Sequence, residues 1–373
     1  MGLLLLIILA IVFRARVDGN EPDRDAAARL IRVPDQYPSI DEAIEASVDG
    51  DHVVVRPGVY RESINFRGRK IRVSSEDPRD PGVVRSTVIW PTGRGTGVFF
   101  ARGETPRSVL EGFTVTGGSG VLVTRWSVLG HAVRAGGGVF INHGSSPTLR
   151  HNVIEGNSAD MGGGIYVSAG SAATIRDNMI RENSAVLGGG IRIAGDFSRT
   201  DGEAGWPAAG RREVPLVMAC FIMGNSAHIG GGVSISRGAS PEMSGSYLSD
   251  NRARWDGGGM AIWDSSSPRI RNTCYRRNAC GDDYGFGGAL SIINNCKPVI
   301  IDSEFVENSA SGRLRGGGGA IAIHRSHPEI RQSMVRGNTA ALGPGIYVWG
   351  SSEPRFVSNE VSSSDIFYGS TAM

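Results

Sequence analysis

The sequence contains few cysteines, few aromatic residues and almost no net charge. Aromatic residues make up 7% of the 373 residues, and the formal net charge is +2 at pH 7. No basic stripe stands beside aromatic residues, so we expect no nucleic acid among the partners. The cysteines form no Cys-x-x-Cys pair, which argues against a zinc site. Their spacing fits either one disulfide or, as we expect, four buried thiols. The cysteines are Cys220, Cys274, Cys280 and Cys296.

The N-terminus lacks an apolar run long enough for an ordinary membrane-spanning helix. The stretch Leu3–Phe13 has the length of a signal-peptide core. No lysine or arginine precedes it, and Arg14 and Arg16 follow it, so a short membrane anchor is the alternative. We expect residues 1–17 to be the signal peptide or anchor and residues 18–30 to be a polar linker. The protein is then secreted, periplasmic or on the cell surface.

Glycine is abundant, with 54 residues, and much of it recurs at a fixed period. Each repeat contains three small residues, an alternating apolar segment, in most copies a proline, a second apolar segment and an asparagine. The commonest spacing is 26 residues. A fixed period of about 20–50 residues is typical of a solenoid. The closing asparagines are Asn157, Asn183, Asn225, Asn251, Asn278, Asn308 and Asn338.

Apolar residues alternate at a period of two within each repeat, which predicts strands with one buried face. Three apolar columns recur, so we expect coils of three short strands, stacked about 4.8 Å apart into a parallel β-helix of about ten coils. The first column follows the small triplet, as at Val139 and Ile165. The second is Leu149, Ile175, Val217, Met243, Ile270, Ile300, Ile330 and Phe356. The third is Ile154, Ile180, Ile222, Leu248, Tyr275, Phe305, Val335 and Val361.

The turns between strands have a pattern of their own. Asparagine tolerates a left-handed backbone, so we expect the closing asparagines to adopt it and to hydrogen-bond to one another along the stack. The glycine triplets precede strands, whereas a phosphate-binding loop follows a strand and opens a helix. We therefore interpret them as sharp bends or points of close backbone approach.

The segment 31–118 differs from the repeats and is predicted to hold a cap and the first coils. Ser39–Glu42 has the form of a capping box and predicts a short amphipathic helix that ends at Ala46. A cap is expected because the first coil of a solenoid otherwise exposes its core and its backbone edges. Residues 119–373 are predicted to form the repeat region, continuous with the cap in one domain.

A specific resemblance lies in three segments, Val33–Ile44, Pro57–Tyr60 and Leu110–Gly118. They are similar to the opening of the pectin-lyase-like superfamily and to the phrase that introduces its repeats. Gly318–Ile321 and Phe305–Asn308 also resemble the short repeats of chlamydial polymorphic outer-membrane proteins. The resemblance implies an all-β, right-handed parallel β-helix. It implies no single function, because the superfamily includes polysaccharide lyases, hydrolases, esterases, epimerases, adhesins and phage tailspikes.

The catalytic motifs of that superfamily are mostly absent. Of the polygalacturonase motifs only the pair Asp282-Asp283 is present, and the esterase and alginate-epimerase motifs are missing. We therefore favour an exported protein that binds polysaccharide or another cell-envelope partner without turning it over. The alternative is a lyase or epimerase acting on uronic-acid polymers. Such an enzyme needs a base and often Ca²⁺ to neutralise the carboxylate, and we identify no other cofactor.

Residues at equal offsets from the repeat proline become neighbours on stacked coils, and this predicts a site in the C-terminal third. Bases and carboxylates there could move a proton, and the tryptophans could stack on sugar rings. The alternative interpretation is a solvated turn with mixed charges. The position before the proline holds Lys297, His327 and Glu353, and the position four before it holds Asp264, Asn294 and His324. The predicted catalytic residues are Lys297, His327, His324, Asp264 and Glu353. The predicted substrate-binding residues are Trp263, Trp349, Arg325 and Asn294, and no metal ligands are predicted.

Several other surface features carry weaker predictions. Outward aromatic residues could bind sugar or pack under loops, and the inserted segments 119–135 and 195–213 would wall a groove. An outward arginine column is expected to pair with neighbouring carboxylates, because like charges at that spacing repel. The segment 365–373 offers no cap, so we expect the last coil edge to be covered by a partner or a second copy. The aromatic residues are Phe140, Tyr166 and Tyr347, and the arginines are Arg150, Arg176, Arg271 and Arg331.

Overall fold

The chain winds as a stack of coils into a parallel β-helix. The computed structural model describes residues 28–123, 132–195, 214–282, 284–312 and 315–369. Each regular coil passes through four sheets, which we number 1 to 4 in the order in which the chain enters them. The predicted β-helix is therefore present, but its coils contain four strands instead of three.

Sheets 1 and 2 form two sides of the solenoid. Sheet 1 contains Leu30–Val33, His52–Val55, Arg72–Ser75, Val109–Glu111, Thr148–Arg150, Thr174–Arg176, Leu216–Met218, Glu242–Ser244, Arg269–Arg271, Val299–Ile301, Glu329–Arg331 and Arg355–Val357. Sheet 2 contains Gly58–Tyr60, Thr87–Ile89, Thr114–Thr116, Val153–Glu155, Met179–Arg181, Phe221–Met223, Tyr247–Ser249, Cys274–Arg276, Glu304–Val306 and Met334–Arg336.

Sheets 3 and 4 complete each coil. Sheet 3 contains Val121–Val123, Val133–Ala135, Ser158–Met161, Ser184–Leu187, Ser226–Ile229, Arg252–Asp256, Ala279–Cys280, Tyr284–Phe286, Ser309–Ala310, Arg315–Gly317 and Thr339–Ala340. Sheet 4 contains Ile64–Asn65, Val98–Phe100, Val139–Ile141, Ile165–Val167, Ile191–Ala194, Val233–Ser236, Met260–Trp263, Leu290–Ile293, Ile321–His324, Ile346–Trp349 and Ile366–Tyr368. The first two strands of sheet 3 pair antiparallel, whereas the sheet otherwise pairs in parallel.

Sheet 3 is the strand set that the sequence pattern does not reveal. Most of its buried positions are occupied by small residues, such as Ala227, Ala253, Cys280 and Ala310. Small side chains give no strong apolar column, so these strands look like turn residues between the closing asparagine and the glycine triplet. The physical signal for a strand is weak here because little apolar surface is buried per residue.

The three predicted apolar columns align along one continuous core. Leu149 pairs with Ile175 in sheet 1, and Ile154 pairs with Ile180 in sheet 2. All four side chains are fully buried. The column after the small triplet lies in sheet 4 in the same way. Each such side chain contributes about 1.5–3 kcal/mol by leaving water, so the stack is stabilised coil by coil.

The closing asparagines form the expected hydrogen-bonded ladder. Nδ2 of Asn225 donates to Oδ1 of Asn251 at 3.0 Å and to the carbonyl of Ile180 at 2.9 Å. The predicted left-handed backbone at these asparagines is wrong. It occurs one residue earlier, for example at Gly224 (φ 62°) and Asp250 (φ 55°). The preceding residue makes the bend, which leaves the asparagine side chain directed along the ladder.

Within the described residues, two short helices lie near the N-terminal end of the solenoid. Helix α1, Ile40–Ala46, begins at Ser39, whose Oγ accepts a hydrogen bond from the N–H of Glu42 at 3.2 Å. Its apolar face is fully buried against the first coils, so the predicted capping helix is present. Helix α2, Pro81–Ser86, begins after Asp80, whose side chain accepts from the first-turn N–H groups.

The cysteines form no disulfide within the described residues. All four cysteines lie within the described residues and are free thiols, three of them buried and Cys274 half-buried. The predicted signal peptide or anchor, residues 1–17, lies outside the described residues. Among the described residues, no helix has the length and apolar character needed to cross a membrane.

Candidate functional site

The structure places six of the nine predicted site residues in two groups on either side of a turn and the other three in the turn itself. One group contains Trp263, His324 and Trp349, which occupy the same outward register position of sheet 4 on different coils. Each of these side chains is half-buried and partly open to solvent. Three of the predicted residues therefore lie in one line at the C-terminal ends of sheet 4 strands.

One predicted stack is wrong by a single residue. Equal offsets from the prolines put His324 beside Asp264 and Asn294, but the pairing places His324 in the strand and Arg325 at that turn position. The cause is the turn that ends at Pro328, which is one residue shorter than the equivalent turn of the preceding coil. Asp264, Asn294 and Arg325 have left-handed backbones, with φ of 53°, 62° and 46°.

The second group lies beyond this turn, directly before strands of sheet 1. Lys297 and Glu353 are exposed, and His327 is half-buried. The N–H of His327 donates to the carbonyl of Cys296 at 2.9 Å, so His327 lies one coil above Lys297. In the part of the chain that the structure describes, the three side chains make no hydrogen bond or ion pair. A catalytic role for this group stays a prediction.

Aromatic rings gather around Trp349. Its ring centroid lies 4.8 Å from that of His324, 4.5 Å from Tyr347 and 5.0 Å from Phe286. The planes of His324 and Tyr347 are within 18° and 17° of the plane of Trp349. We call Trp263, Phe286, His324, Tyr347 and Trp349 the aromatic strip. Phe286 ends a strand of sheet 3, so this strip joins the edges of two sheets.

A buried arginine lies under Trp263. Arg192 is only 2% exposed, and its guanidinium carbon lies 5.3 Å from the centroid of the Trp263 ring. The guanidinium donates to the hydroxyls of Ser234, at 2.9 Å, and Ser236, and Nε1 of Trp263 donates to Ser234 at 3.3 Å. Burial lowers the pKa of Arg192 to about 10, so it remains protonated at neutral pH. The arginine thereby fixes the position of the Trp263 ring.

A half-buried carboxyl group borders the strip. Asp256 is the last residue of a sheet 3 strand and lies in register between Ile229 and Phe286. Its Oδ1 is buried and, among the described residues, has no hydrogen-bond partner. Burial raises the pKa of Asp256 to about 6, and the nearby Ser291 hydroxyl opposes this rise only weakly. The chain therefore holds a carboxyl group that can exchange a proton near neutral pH.

The histidine of the strip is neutral at pH 7. Burial lowers the pKa of His324 below its usual value, and repulsion by the neighbouring Arg325 lowers it further. A neutral imidazole offers one donor and one acceptor nitrogen, so it can bind hydroxyl groups in either role. His324 thus adds a polar contact to an otherwise apolar surface.

Sequence reasoning missed Asp256, Phe286 and Arg192. Each had a signal in the sequence. Asp256 and Phe286 precede the small triplets, where apolar residues such as Leu187 and Ile229 stand in other coils. An acidic residue in an otherwise apolar column indicates a function other than packing. Arg192 was the one charged residue of an outward column that otherwise holds aromatic and small residues.

The three aromatic residues that were predicted to point outward from sheet 4 are buried. Phe140 and Tyr166 are 6% and 1% exposed and stack with centroids 5.6 Å apart, in an apolar cluster that includes Met161. Tyr347 is 4% exposed and packs against Trp349. Of the two interpretations of these residues, packing is the one that the structure shows for Phe140 and Tyr166.

The outward arginine column mostly pairs with carboxylates, as expected. The pairs are Arg150 with Glu111 at 2.8 Å, Arg176 with Asp177 at 2.6 Å and Arg331 with Glu329 at 3.6 Å. Arg271 makes no ion pair within the described ranges. Partly exposed ion pairs of this kind contribute little stability, so their main effect is to relieve repulsion along the column.

The predicted loop walls and a Ca²⁺ site receive little support from the described residues. Residues 124–131 and 196–213, the larger parts of the two inserted segments, lie outside them. No group of three or more His, Cys, Asp or Glu side chains in the described ranges could hold a metal ion. We therefore assign no residue to Ca²⁺.

A family model described as a right-handed β-helix region matches residues 93–201 and 218–363, which is more than half of the chain. The chain belongs to the right-handed β-helix family. Among solved structures, the pectate lyase Pel9A is similar with 13% sequence identity and a TM-score of 0.34, over 88% of this chain and 72% of that chain. No curated protein matches the sequence. Family membership confirms the predicted right-handed parallel β-helix.

Proposed function

We propose that this protein binds a polysaccharide along the aromatic strip. The observation that carries the proposal is the alignment of Trp263 and Trp349 in one outward column of sheet 4, three coils apart, with His324 between them. Three coils correspond to about 14 Å along the solenoid axis. Two partly exposed rings at this separation offer two stacking positions to one extended chain.

The chemistry of the surface suits a sugar polymer. The apolar face of a sugar ring packs on an aromatic face, and aromatic residues provide large contact area with little loss of side-chain freedom. The turn residues Asp264, Asn294 and Arg325 directly follow the strip column and offer acceptors and donors for hydroxyl groups. Apolar faces and hydroxyl edges of a polysaccharide are thus both matched.

Binding without turnover is favoured over catalysis by the separation of the predicted groups. Lys297, His327 and Glu353 precede sheet 1, whereas the strip lies on sheet 4.

One observation supports a second candidate function, a lyase or epimerase on uronic-acid polymers. Asp256 pairs in register with Phe286 of the strip, and its pKa of about 6 allows it to accept a proton near neutral pH.

Calorimetric titration with pectate, alginate, chondroitin sulfate and a neutral β-glucan tests the binding proposal. We expect Trp349→Ala and Trp263→Ala to weaken binding about tenfold each, since aromatic contacts are worth on the order of 1 kcal/mol or more. Trp90→Ala is the matched control, because Trp90 is exposed and distant from the strip in sequence and sheet. If both strip variants bind like the Trp90 variant, the proposal is wrong.

The same samples separate the two candidate functions. Absorbance of an unsaturated product, absent in Asp256→Asn and present in the wild type, would establish the lyase. An epimerase forms no unsaturated product, so binding supports the binding function only when there is neither such a product nor a change in the uronate composition of the polymer, measured by NMR. Export, a cell-envelope location, absence of nucleic-acid binding and a homo-oligomer through the last coil stay predictions, and light scattering tests the last of them.

A further inference from the structure

A pocket of about 600 Å³ lies on the outer face of sheet 2, away from the aromatic strip. Its volume is in the range of about 300–1,000 Å³ that is typical of small-molecule sites. Helix α2 and the residues before it form one wall, and the turn from sheet 1 to sheet 2 forms the opposite wall. Every lining residue lies within the described ranges.

The α2 wall is fixed by close packing. Gly112 has φ of 80°, and a Cβ atom there would lie 2.4 Å from Cβ of Pro78, so only glycine lets this segment approach the turn. Oγ1 of Thr114 donates a buried hydrogen bond to the carbonyl of Val84 at 2.9 Å. These two contacts hold the wall over sheet 2, so the pocket is preformed.

The floor of the pocket is apolar. Val153, Met179 and Phe221 occupy one outward register position on three successive coils. Phe221 is 52% exposed, which is unusual for so large an apolar side chain, and Val153 and Met179 are half-buried. The floor therefore offers a flat apolar surface that a ligand can remove from water.

The rim of the pocket carries unbalanced positive charge. Its two acidic residues are already engaged, Glu155 by Arg181 at 2.6 Å and Asp177 by an arginine outside the pocket, also at 2.6 Å. Arg79 and Arg85 on the α2 wall are exposed, and within the described ranges neither has a carboxylate partner. An anionic group placed here gains two cations without displacing an existing ion pair.

We infer that this pocket binds a small organic anion whose flat apolar part lies on Met179 and Phe221 and whose anionic group contacts Arg79 and Arg85. The inference is independent of the proposed polysaccharide binding. It uses a different sheet, different residues and a different class of ligand.

Fluorescence titration of the full chain with anilinonaphthalene sulfonate tests the inference, and neutral phenylnaphthylamine serves as the uncharged probe. We expect the double variant Arg79→Gln/Arg85→Gln to bind the sulfonate at least tenfold more weakly and to bind the neutral probe unchanged. Phe221→Ser should weaken both probes. The matched control is Arg252→Gln/Arg336→Gln, which removes the same charge from exposed positions outside the pocket and should leave both affinities unchanged.

Two results would overturn the inference. One is sulfonate binding by the Arg79→Gln/Arg85→Gln variant with wild-type affinity. The other is an equal loss in this variant and in the control, which would mean that net charge and not the pocket governs binding. Because all substituted side chains except Phe221 are exposed polar groups, the variants are expected to fold, and circular dichroism confirms this before titration.

Discussion

Asn183 and Asn225 are adjacent members of one ladder although they are 42 positions apart in the sequence, and Nδ2 of Asn183 donates to Oδ1 of Asn225 at 3.0 Å. The same Oδ1 accepts from the backbone N–H of Asn183, also at 3.0 Å. The inserted residues before Pro215 therefore do not disturb the stacking of the coils on either side. The ladder has the same donor and acceptor atoms and the same distances across the insertion as in the next coil.

The ladder predicts a large cost for losing one amide. Asn225→Ala leaves two buried donors of Asn183 without their acceptor and removes the two bonds donated by Nδ2 of Asn225. We expect the free energy of unfolding to fall by about 2–4 kcal/mol, measured by urea denaturation. Ser240→Ala, at an exposed turn position, should change it by less than about 0.5 kcal/mol. Equal effects of both substitutions would contradict the role assigned to the ladder.

The left-handed turn residues predict a pair of opposite effects. Ala219 (φ 49°) and Gly245 (φ 59°) occupy equivalent turn positions of adjacent coils. Ala219→Gly should stabilise the protein by about 0.5–1 kcal/mol, because it removes the cost of a left-handed alanine. Gly245→Ala should destabilise it by about 1–2 kcal/mol from backbone conformation alone, since a Cβ there meets no atom closer than 3.9 Å. Thermal unfolding of both variants measures the signs, and a change in the same direction would refute the assignment.

Asp256 predicts a specific pH dependence. Its pKa is about 6 in the folded protein and about 3.9 in an unfolded chain, so folding favours the protonated form. The resulting penalty is absent below about pH 4, grows between pH 4 and 6 and is complete above pH 6, where it amounts to about 2–3 kcal/mol. Asp256→Asn should therefore stabilise the protein at pH 7.5, with a gain that disappears towards pH 4.

The control for this prediction is Asp302→Asn, because Asp302 is exposed and already has a left-handed backbone that asparagine tolerates. Urea denaturation across this pH range provides the measurement. A stability difference between Asp256→Asn and wild type that is the same at every pH would show that burial does not shift this carboxyl group.

His324 predicts a titration that depends on its neighbour. Burial and the charge of Arg325 both lower the pKa of His324, so its NMR titration midpoint should lie below 6.5. Arg325→Asn removes the repulsion while keeping a residue suited to φ of 46°, and the midpoint should rise. An unchanged midpoint would mean that burial alone sets the protonation of the strip histidine.

The core could be predicted from sequence because its signal is large and regular. Leu149 and Ile175 are bulky, spaced by one repeat and fully buried, so periodicity alone identifies them. The strand Ser184–Leu187 could not be predicted. Its exposed residues Ser184 and Val186 alternate with residues that are only half-buried, so no fully buried apolar face marks the strand. The left-handed turns escaped prediction for a related reason. Residues as different as Glu182 and Arg277 occupy them, so no residue type marks the position.

The candidate site was only partly predictable because it depends on register to the single residue. Counting from prolines found Trp263 and Trp349, which lie on coils with turns of equal length. It misplaced His324, because the turn before Pro328 is one residue shorter than the turn before Pro298. Positions counted back from Pro328 beyond that turn are therefore out of register by one residue. It missed Phe286 altogether, since the contact of that ring with Trp349 joins two different sheets and has no counterpart in linear spacing.

The ladder bonds also define how the molecule can change size. The bonds of Asn183 to Asn225 have the same form as those of Asn225 to Asn251, although the two pairs are 42 and 26 positions apart in the sequence. The hydrogen bonds between neighbouring coils therefore do not depend on the length of the chain that connects them. A complete coil can then be duplicated, in nature or by engineering, to lengthen the solenoid without a change in its cross-section.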